Sequence, residues 1–228
     1  MRETVRVITL DLDDTLWPID RVIDRAESVL HAWLEQHAPG VAQALPPPSF
    51  AAYRRALALE VPAIAHDYTA LRLEALRRAL ERHGNDPRLA ETGMDVFLGA
   101  RNDVEFFPDV LAALERLARH FRVVSLSNGN SDLNRIGIDR YFAGIMNARI
   151  AGFAKPDPRI FHAACATVDS PPGAVLHVGD DPDLDVRAAL DAGIRSVWMN
   201  RAGKPWPGAP VQSVEIRDLL ALCELLGV

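Results

Sequence analysis

Several short segments of the chain are rich in apolar, β-branched residues and then turn abruptly polar. Val5 to Leu10 runs into Asp11-Leu-Asp13-Asp-Thr15, and Arg122 to Leu126 runs into Ser127-Asn-Gly-Asn130. Ala174 to Val178 runs into Gly179-Asp180-Asp-Pro-Asp-Leu-Asp185, and Arg195 to Met199 follows Gly193. Short apolar runs bounded by turn residues read as buried strands. Gly144 to Arg149 reads as a further edge strand. Between them the period changes to that of helices: Asp109 to Arg119, a helix opened by Pro158 through Ile160, Phe161, Ala164 and Cys165, one running to Ala192, and Ile216 to Leu226 at the end. Strands alternating with helices predict an α/β fold, a Rossmann-like parallel sheet with helices on both faces.

Residues 19–100 differ, because they hold no good strand. Val22, Ile23, Ala26, Val29, Leu30, Trp33 and Leu34 recur at helical spacing within Ile19 to Gln36. Pro46-Pro47-Pro48 opens a second helix through Tyr53 and Leu57. A third spans Asp67 to Arg82 and stops near Gly84, and a fourth follows Asp86-Pro87. The expected organisation is an α/β core of residues 1–18 and 101–228, with a helical domain, residues 19–100, inserted after the first strand.

The polar strand ends carry the candidate chemistry. Residues two apart on extended backbone point the same way, so Asp11 and Asp13 face one pocket while Leu12 faces the core. Two carboxylates at one strand end suit a nucleophile and a proton donor. The Ser127 hydroxyl and the N–H groups of the turn at Asn128 suit an anion. Lys155, between Gly152 and Pro156, adds a directed positive charge. Asp180 follows Gly179, and Asp185 falls on the first helical turn beyond it. Each segment also has a plain reading: an acidic turn with a helix cap at Asp11–Thr15, an Asn-Gly turn, a solvated lysine, helix caps at Asp181 and Asp183. What favours a site is their convergence, since ligands of open α/β sheets bind outside the carboxyl ends of the strands. Two unit charges about 4 Å apart repel by roughly 4 kcal/mol at an effective dielectric near 20. Gathering Asp11, Asp13 and Asp180 therefore calls for a cation, and all-oxygen ligands favour Mg²⁺ over Zn²⁺. A hard ion, a lysine, a hydroxyl and a carboxylate nucleophile suit phosphoryl transfer.

This ordered set resembles the haloacid dehalogenase-like hydrolase superfamily, whose motifs are matched by Asp11-Leu-Asp13-Asp-Thr15, Ser127, Lys155, and Gly179-Asp180 with Asp185. The resemblance implies that Asp11 attacks phosphorus to give an aspartyl-phosphate and that Asp13 protonates the leaving oxygen. Asp13 then deprotonates the hydrolytic water. Ser127 and Lys155 would hold the phosphoryl oxygens. Asp11, the Asp13 carbonyl and Asp180 would bind Mg²⁺, with Asp185 orienting metal-bound water or Lys155. Thr15 would brace the loop. It further implies that the inserted helices form a cap hinged near Pro18 and near Glu105–Pro108, closing over the site and choosing substrates. Within the cap, His66, Tyr68 and Arg72 are the candidate substrate contacts. The dehalogenases of the superfamily lack an acid at the position of Asp13, because a departing halide needs no proton. Asp13 thus argues for a phosphate monoester. His66 to Leu76, Trp17 and the Ser127–Asn130 turn are also similar to bacterial phosphatases acting on FMN and on the phosphorylated ribityl precursor of riboflavin. The alternatives are a phosphosugar mutase, a 2-haloacid dehalogenase and a non-catalytic phosphate-binding protein. His177, inside a strand, reads as a satisfied core histidine, and Trp17 as half-buried packing near the nucleophile.

Composition narrows the setting. With 228 residues and 49% hydrophobic content the chain can bury a large core. A net charge of −6, with basic residues dispersed over helices, disfavours a nucleic-acid surface. Cys165 and Cys223 read as small core residues of a reducing compartment. No apolar run reaches membrane-spanning length, and Arg2-Glu-Thr-Val-Arg-Val leads into the first strand without a secretory signal pattern. The expected partner is a small phosphorylated metabolite, and the expected location cytoplasmic.

Overall fold

The computed structural model describes residues 5–209, 211 and 213–228. Residues 2–4, part of the expected lead-in to the first strand, lie outside the described residues. Among the described residues six strands form one sheet: β1 Val7–Leu10, β2 Arg122–Ser127, β3 Gly144–Asn147, β4 Val175–Gly179, β5 Arg195–Met199 and β6 Val214–Ile216. Their spatial order is β3-β2-β1-β4-β5-β6, and every pairing is parallel. β1, in the middle, is buried at all its positions, which is why it carries a continuous apolar run and not an alternating one. From β1 the chain continues to β2 and β3 on one side and then returns to β4 on the other. That reversal beside β1 is the topological switch point at which such sheets leave a crevice.

The chain packs as two units. One comprises Met1–Pro18, Glu105–Gly129 and Gly137–Val228, and holds the sheet. The other comprises Ile19–Val104 with Asn130–Ile136. The helical unit contains α1 Ile19–His37, α2 Pro39–Ala44, α3 Pro47–Glu60, α4 Tyr68–Arg82 and α5 Leu89–Arg101. Its core joins Ala26, Leu30 and Leu34 of α1 to Leu71, Leu76 and Leu80 of α4 and to Met94 and Phe97 of α5. Asp67 caps α4 by accepting from the N–H groups of Thr69 and Ala70, as its place before the helix predicts.

In the sheet-bearing unit, α6 Val110–His120 precedes β2, and the sequence signal for it matches to one residue at each end. The one-turn α7 Leu133–Ile136 goes with the helical unit, where the Asn130 side chain donates to Thr69 Oγ1 at 3.1 Å. α8 Ala148–Ala151, α9 Pro158–Ala166, α10 Ala188–Asp191 and α11 Leu219–Leu226 complete the chain. Ile160, Phe161, Ala164 and Cys165 of α9 and Ala188 and Ala189 of α10 pack against Val7, Val124, Leu126 and Val175 on one face of the sheet. α6 packs on β2 and on α11.

Three expectations need correction. The helix expected from Ile216 begins at Leu219, because Asp218 caps it through the Ala221 N–H and the residues before it extend the sheet as β6. The helix expected to run to Ala192 with Asp185 on its first turn is a π-helical stretch, Pro182–Arg187, followed by the short α10. Its Asp181 side chain accepts from the N–H groups of Asp183 and Leu184, the capping role that was the plain reading of Asp181. The segment after α1 holds the short α2, started by Pro39, which apolar spacing alone did not separate.

Candidate active site

The sheet delivers its polar residues at the carboxyl ends of β1, β2 and β4. Register sets Thr9 opposite His177 and Leu10 opposite Val178, and the Asp11 N–H still donates to the Val178 carbonyl at 2.9 Å. Asp11 is therefore held as if the strand ran one residue further. Lys155 Nζ lies 2.6 Å from Asp11 Oδ1 and 2.5 Å from Asp185 Oδ1, all three side chains being buried. Asp185 Oδ1 also meets His177 Nε2 at 3.1 Å, and His177 Nδ1 meets Thr9 Oγ1 at 2.9 Å. Asp185 Oδ2 accepts from the Asp181 N–H at 2.9 Å. A connected polar chain thus runs from Thr9 through His177, Asp185 and Lys155 to Asp11. Gly179 permits it: a Cβ there would lie 2.2 Å from Asp185 Cγ.

The charges do not balance. Carboxylate oxygens of Asp11, Asp180 and Asp185 lie within 4.8 Å of one another, and Lys155 is the cation that the structure sets among them. Burial pushes Asp11 well above the usual carboxylate range, against the pull of Lys155. Burial, with repulsion from Asp185 and Asp14, pushes Asp180 up to about 7. Burial opposes charge on Lys155 and on Asp185 as well, yet Asp11 and Asp185 together hold Lys155 above its ordinary value, and Lys155 with the His177 hydrogen bond holds Asp185 below its own. Burial lowers His177, which stays neutral and keeps one ring hydrogen. Excess buried acid around an oxygen-only cluster fits a hard divalent cation. Asp185 has both oxygens engaged by protein donors, whereas Asp180 retains the destabilised charge that a cation would relieve.

The remaining expected residues fall as follows. Ser127 is buried at the end of β2 and its Oγ accepts from the Gly129 N–H at 2.9 Å, which leaves the hydroxyl hydrogen to donate. The Asn128 side chain is taken up by Lys155, while the expectation for this turn concerned its backbone N–H groups: the amide donates to the Lys155 carbonyl at 2.9 Å and accepts from the Lys155 N–H at 2.7 Å. It fixes the lysine backbone, so its side chain is committed to the protein and not to an anion. Asp13 accepts from the Trp17 indole N–H at 2.8 Å. Its carboxylate stands outside the three-acid cluster. Trp17 is fully buried, not half-buried as expected, and its ring packs edge-on against Phe106 at 5.9 Å. Thr15 braces the loop through its carbonyl, which accepts from Arg201 Nε and Nη2 at 3.0 and 2.9 Å.

In the helical unit, Tyr68 is 46% exposed and His66 half-buried. Arg72 is corrected from a substrate contact to an interior residue. It is 3% exposed, bonded to Glu27 Oε1 at 2.5 Å, and stacked 3.4 Å above the Phe97 ring centroid. Its place on the inward face of α4, beside Leu71, Ala75 and Leu76, explains this. Sequence reasoning missed the supporting part of His177. The signal available was the pair Thr9 and His177, polar residues at equivalent depths in two otherwise apolar strands.

Residues 5–193 match the haloacid dehalogenase-like hydrolase family. The chain is 30% identical to a phosphoserine phosphatase from Thermus thermophilus over 94% of this chain and 96% of that one. It is 26% identical to the 5-amino-6-(5-phospho-D-ribitylamino)uracil phosphatase YigB of Escherichia coli, covering 97% and 96% of the two chains. Among solved structures, a 2-haloacid dehalogenase from Pseudomonas syringae superposes with a TM-score of 0.92 at 37% identity, over 98% of each chain. The ordered acids, the lysine and the parallel sheet that presents them have a common origin: this chain belongs to the haloacid dehalogenase-like hydrolases.

Proposed function

We propose that the protein is a Mg²⁺-dependent phosphatase that hydrolyses a small phosphate monoester through an aspartyl-phosphate on Asp11. The observation that carries this reading is Asp13, a second carboxylate two residues past the nucleophile candidate and fixed by a buried indole. Alkoxide leaving groups need a proton, and a halide does not.

In this reading an Asp11 carboxylate oxygen bonds to phosphorus as the phosphorus–oxygen bond to the alcohol breaks. Asp13 gives its proton to the departing oxygen. Asp13, now a carboxylate, takes a proton from the water that attacks phosphorus, and the bond to Asp11 breaks to release inorganic phosphate. Lys155 offsets negative charge on Asp11 and on the phosphoryl oxygens, and Ser127 donates its hydroxyl hydrogen to one of them. The carboxylates of Asp11 and Asp180 and the Asp13 carbonyl would hold Mg²⁺, which supplies positive charge against the acids and the phosphate. The helical unit, residues 19–104 with 130–136, acts as the substrate-selecting cap, with His66 and Tyr68 as its candidate contacts.

The phosphorylated ribityl precursor of riboflavin heads the substrate candidates, on the likeness to the Escherichia coli phosphatase, and FMN stands beside it on the resemblance carried by His66 to Leu76, Trp17 and the Ser127–Asn130 turn. Phosphoserine is the next, on the Thermus relative. A second reading, 2-haloacid dehalogenase, is favoured by the 37% identity to the Pseudomonas syringae protein. One panel separates them: phosphate release from these esters and from sugar phosphates, and chloride release from 2-chloropropionate, each with Mg²⁺ and with EDTA. Mg²⁺-dependent phosphate release that disappears in Asp11→Asn supports the phosphatase. Chloride release without phosphate release overturns it, as does isomerised sugar phosphate without free phosphate.

A further inference from the structure

We infer that Trp17 is a positioning residue for proton transfer to the leaving group, acting through Asp13; this rests on the phosphatase reading. β1 ends at Leu10, and the chain then folds back on itself. Asp14 adopts a left-handed conformation at φ 58° and donates its N–H to the Trp17 carbonyl at 2.8 Å. Leu16 N–H bonds back to the Leu12 carbonyl at 2.7 Å. The turn brings position 17 beside position 13, a bridge that the sequence spacing alone does not announce.

The turn is fastened from outside. The Phe107 N–H donates to the Leu16 carbonyl at 3.0 Å. Arg201, held by two 2.9 Å contacts to Asp109, grips the Thr15 carbonyl. Tryptophan carries one polar atom, a donor that finds a partner when buried. Here the ring is wholly inside the protein, and that donor is directed at Asp13 Oδ1 at 2.8 Å. A hydrogen bond between two rigidly seated groups limits rotation of the carboxylate. A ring chosen for bulk alone would be served by phenylalanine. The N–H is what makes Trp17 specific to the acid.

The consequence is selective. A general acid contributes about 10²- to 10⁴-fold where the leaving group needs a proton, and little where it does not. The test compares kcat/KM for p-nitrophenyl phosphate, whose phenoxide leaves readily, with that for an alkyl ester such as phosphoserine, in wild type and Trp17→Phe. kcat/KM stops at phosphoryl transfer, so later hydrolysis of the Asp11 ester does not enter. The expected result is a loss on the alkyl ester at least tenfold greater than on the aryl ester. A second variant carries 3-benzothienylalanine at position 17, which keeps the ring shape and lacks the N–H. It should reproduce the split even if Trp17→Phe folds poorly. Equal losses on both esters, or none, in a folded variant overturn the inference and leave the phosphatase intact. A wild type that releases phosphate from none of the esters, the phosphorylated ribityl precursor included, overturns the phosphatase reading and the inference with it.

Discussion

Both units of the molecule bury charge, and they resolve it in opposite ways. In the helical unit, Glu27 on α1 takes Arg54 at 2.7 Å and Arg72 at 2.5 Å, and Arg72 spreads its charge over the Phe97 ring. That arrangement ties three helices together and asks nothing of a ligand. In the sheet-bearing unit, Asp11, Asp180 and Asp185 face one lysine, and burial holds Asp180 at about 7. Surplus charge of one sign, kept in place by a rigid sheet, is what separates a site from an internal tie.

The comparison is broken most sharply at Asp11. Asp11→Asn keeps the shape and the Lys155 contact in part, and is expected to lower phosphate release by at least about 10³-fold with the fold retained. Near-normal turnover in this variant would remove the nucleophile from the scheme. On the other side, Glu27→Gln is expected to cost about 3 kcal/mol or more of stability, because Arg72 and Arg54 then keep buried charge with no opposite charge beside it. Urea unfolding measures it, and an unchanged midpoint would show that the tie is ornamental.

Asp180→Asn sharpens the same contrast. At ~100 times its dissociation constant, Mg²⁺ should stabilise the wild type by about 2.7 kcal/mol. The variant should lose that gain in a thermal melt while its metal-free stability holds or rises. A metal response equal to the wild type would place the ion elsewhere.

The smallest effect concerns a balanced pair outside the acid cluster. Burial opposes the Asp109 charge, but Arg201 and the Leu219 N–H hold its pKa below the ordinary value. A depressed carboxylate contributes stability that is complete above its unfolded pKa and is lost as pH falls through the folded one. Asp109→Asn should therefore flatten the acid limb of the stability profile by about 1 kcal/mol or less, the remainder being screened by solvent. A limb as steep as the wild type would assign acid sensitivity to other groups.

What could be read from the chain, and what could not, follows from distance. Apolar runs ending in Asp11, Ser127 and Asp180 mark strands of a parallel sheet, because complete burial leaves a continuous hydrophobic signature. Lys155 was legible through its neighbours Gly152 and Pro156. Trp17 was not, since its meeting with Asp13 depends on a left-handed Asp14 that no hydrophobic period encodes. Nor was the full part of His177, which depends on the register of β4 against β1. Arg72 misled for a third reason: arginine on a helix usually reaches solvent, and only packing of α4 against α1 and α5 turns it inward.

The central place of β1 has a consequence in time. Its partners begin at Arg122 and Val175, more than about a hundred residues away along the chain. Within the helical unit α4 meets α5 and α1 meets α2 across much shorter loops, and even α1 and α5 lie nearer in the chain than β1 does to β2. Long loop closures slow folding. The strand bearing Asp11 is therefore expected to gain protection late, after α4 and α5, when refolding is followed by pulsed hydrogen exchange. Early protection of Val7 to Leu10 would reverse that order. The acids of the site would then be drawn together only after the helical unit has formed, so that their mutual repulsion would burden the last step of folding and not the first.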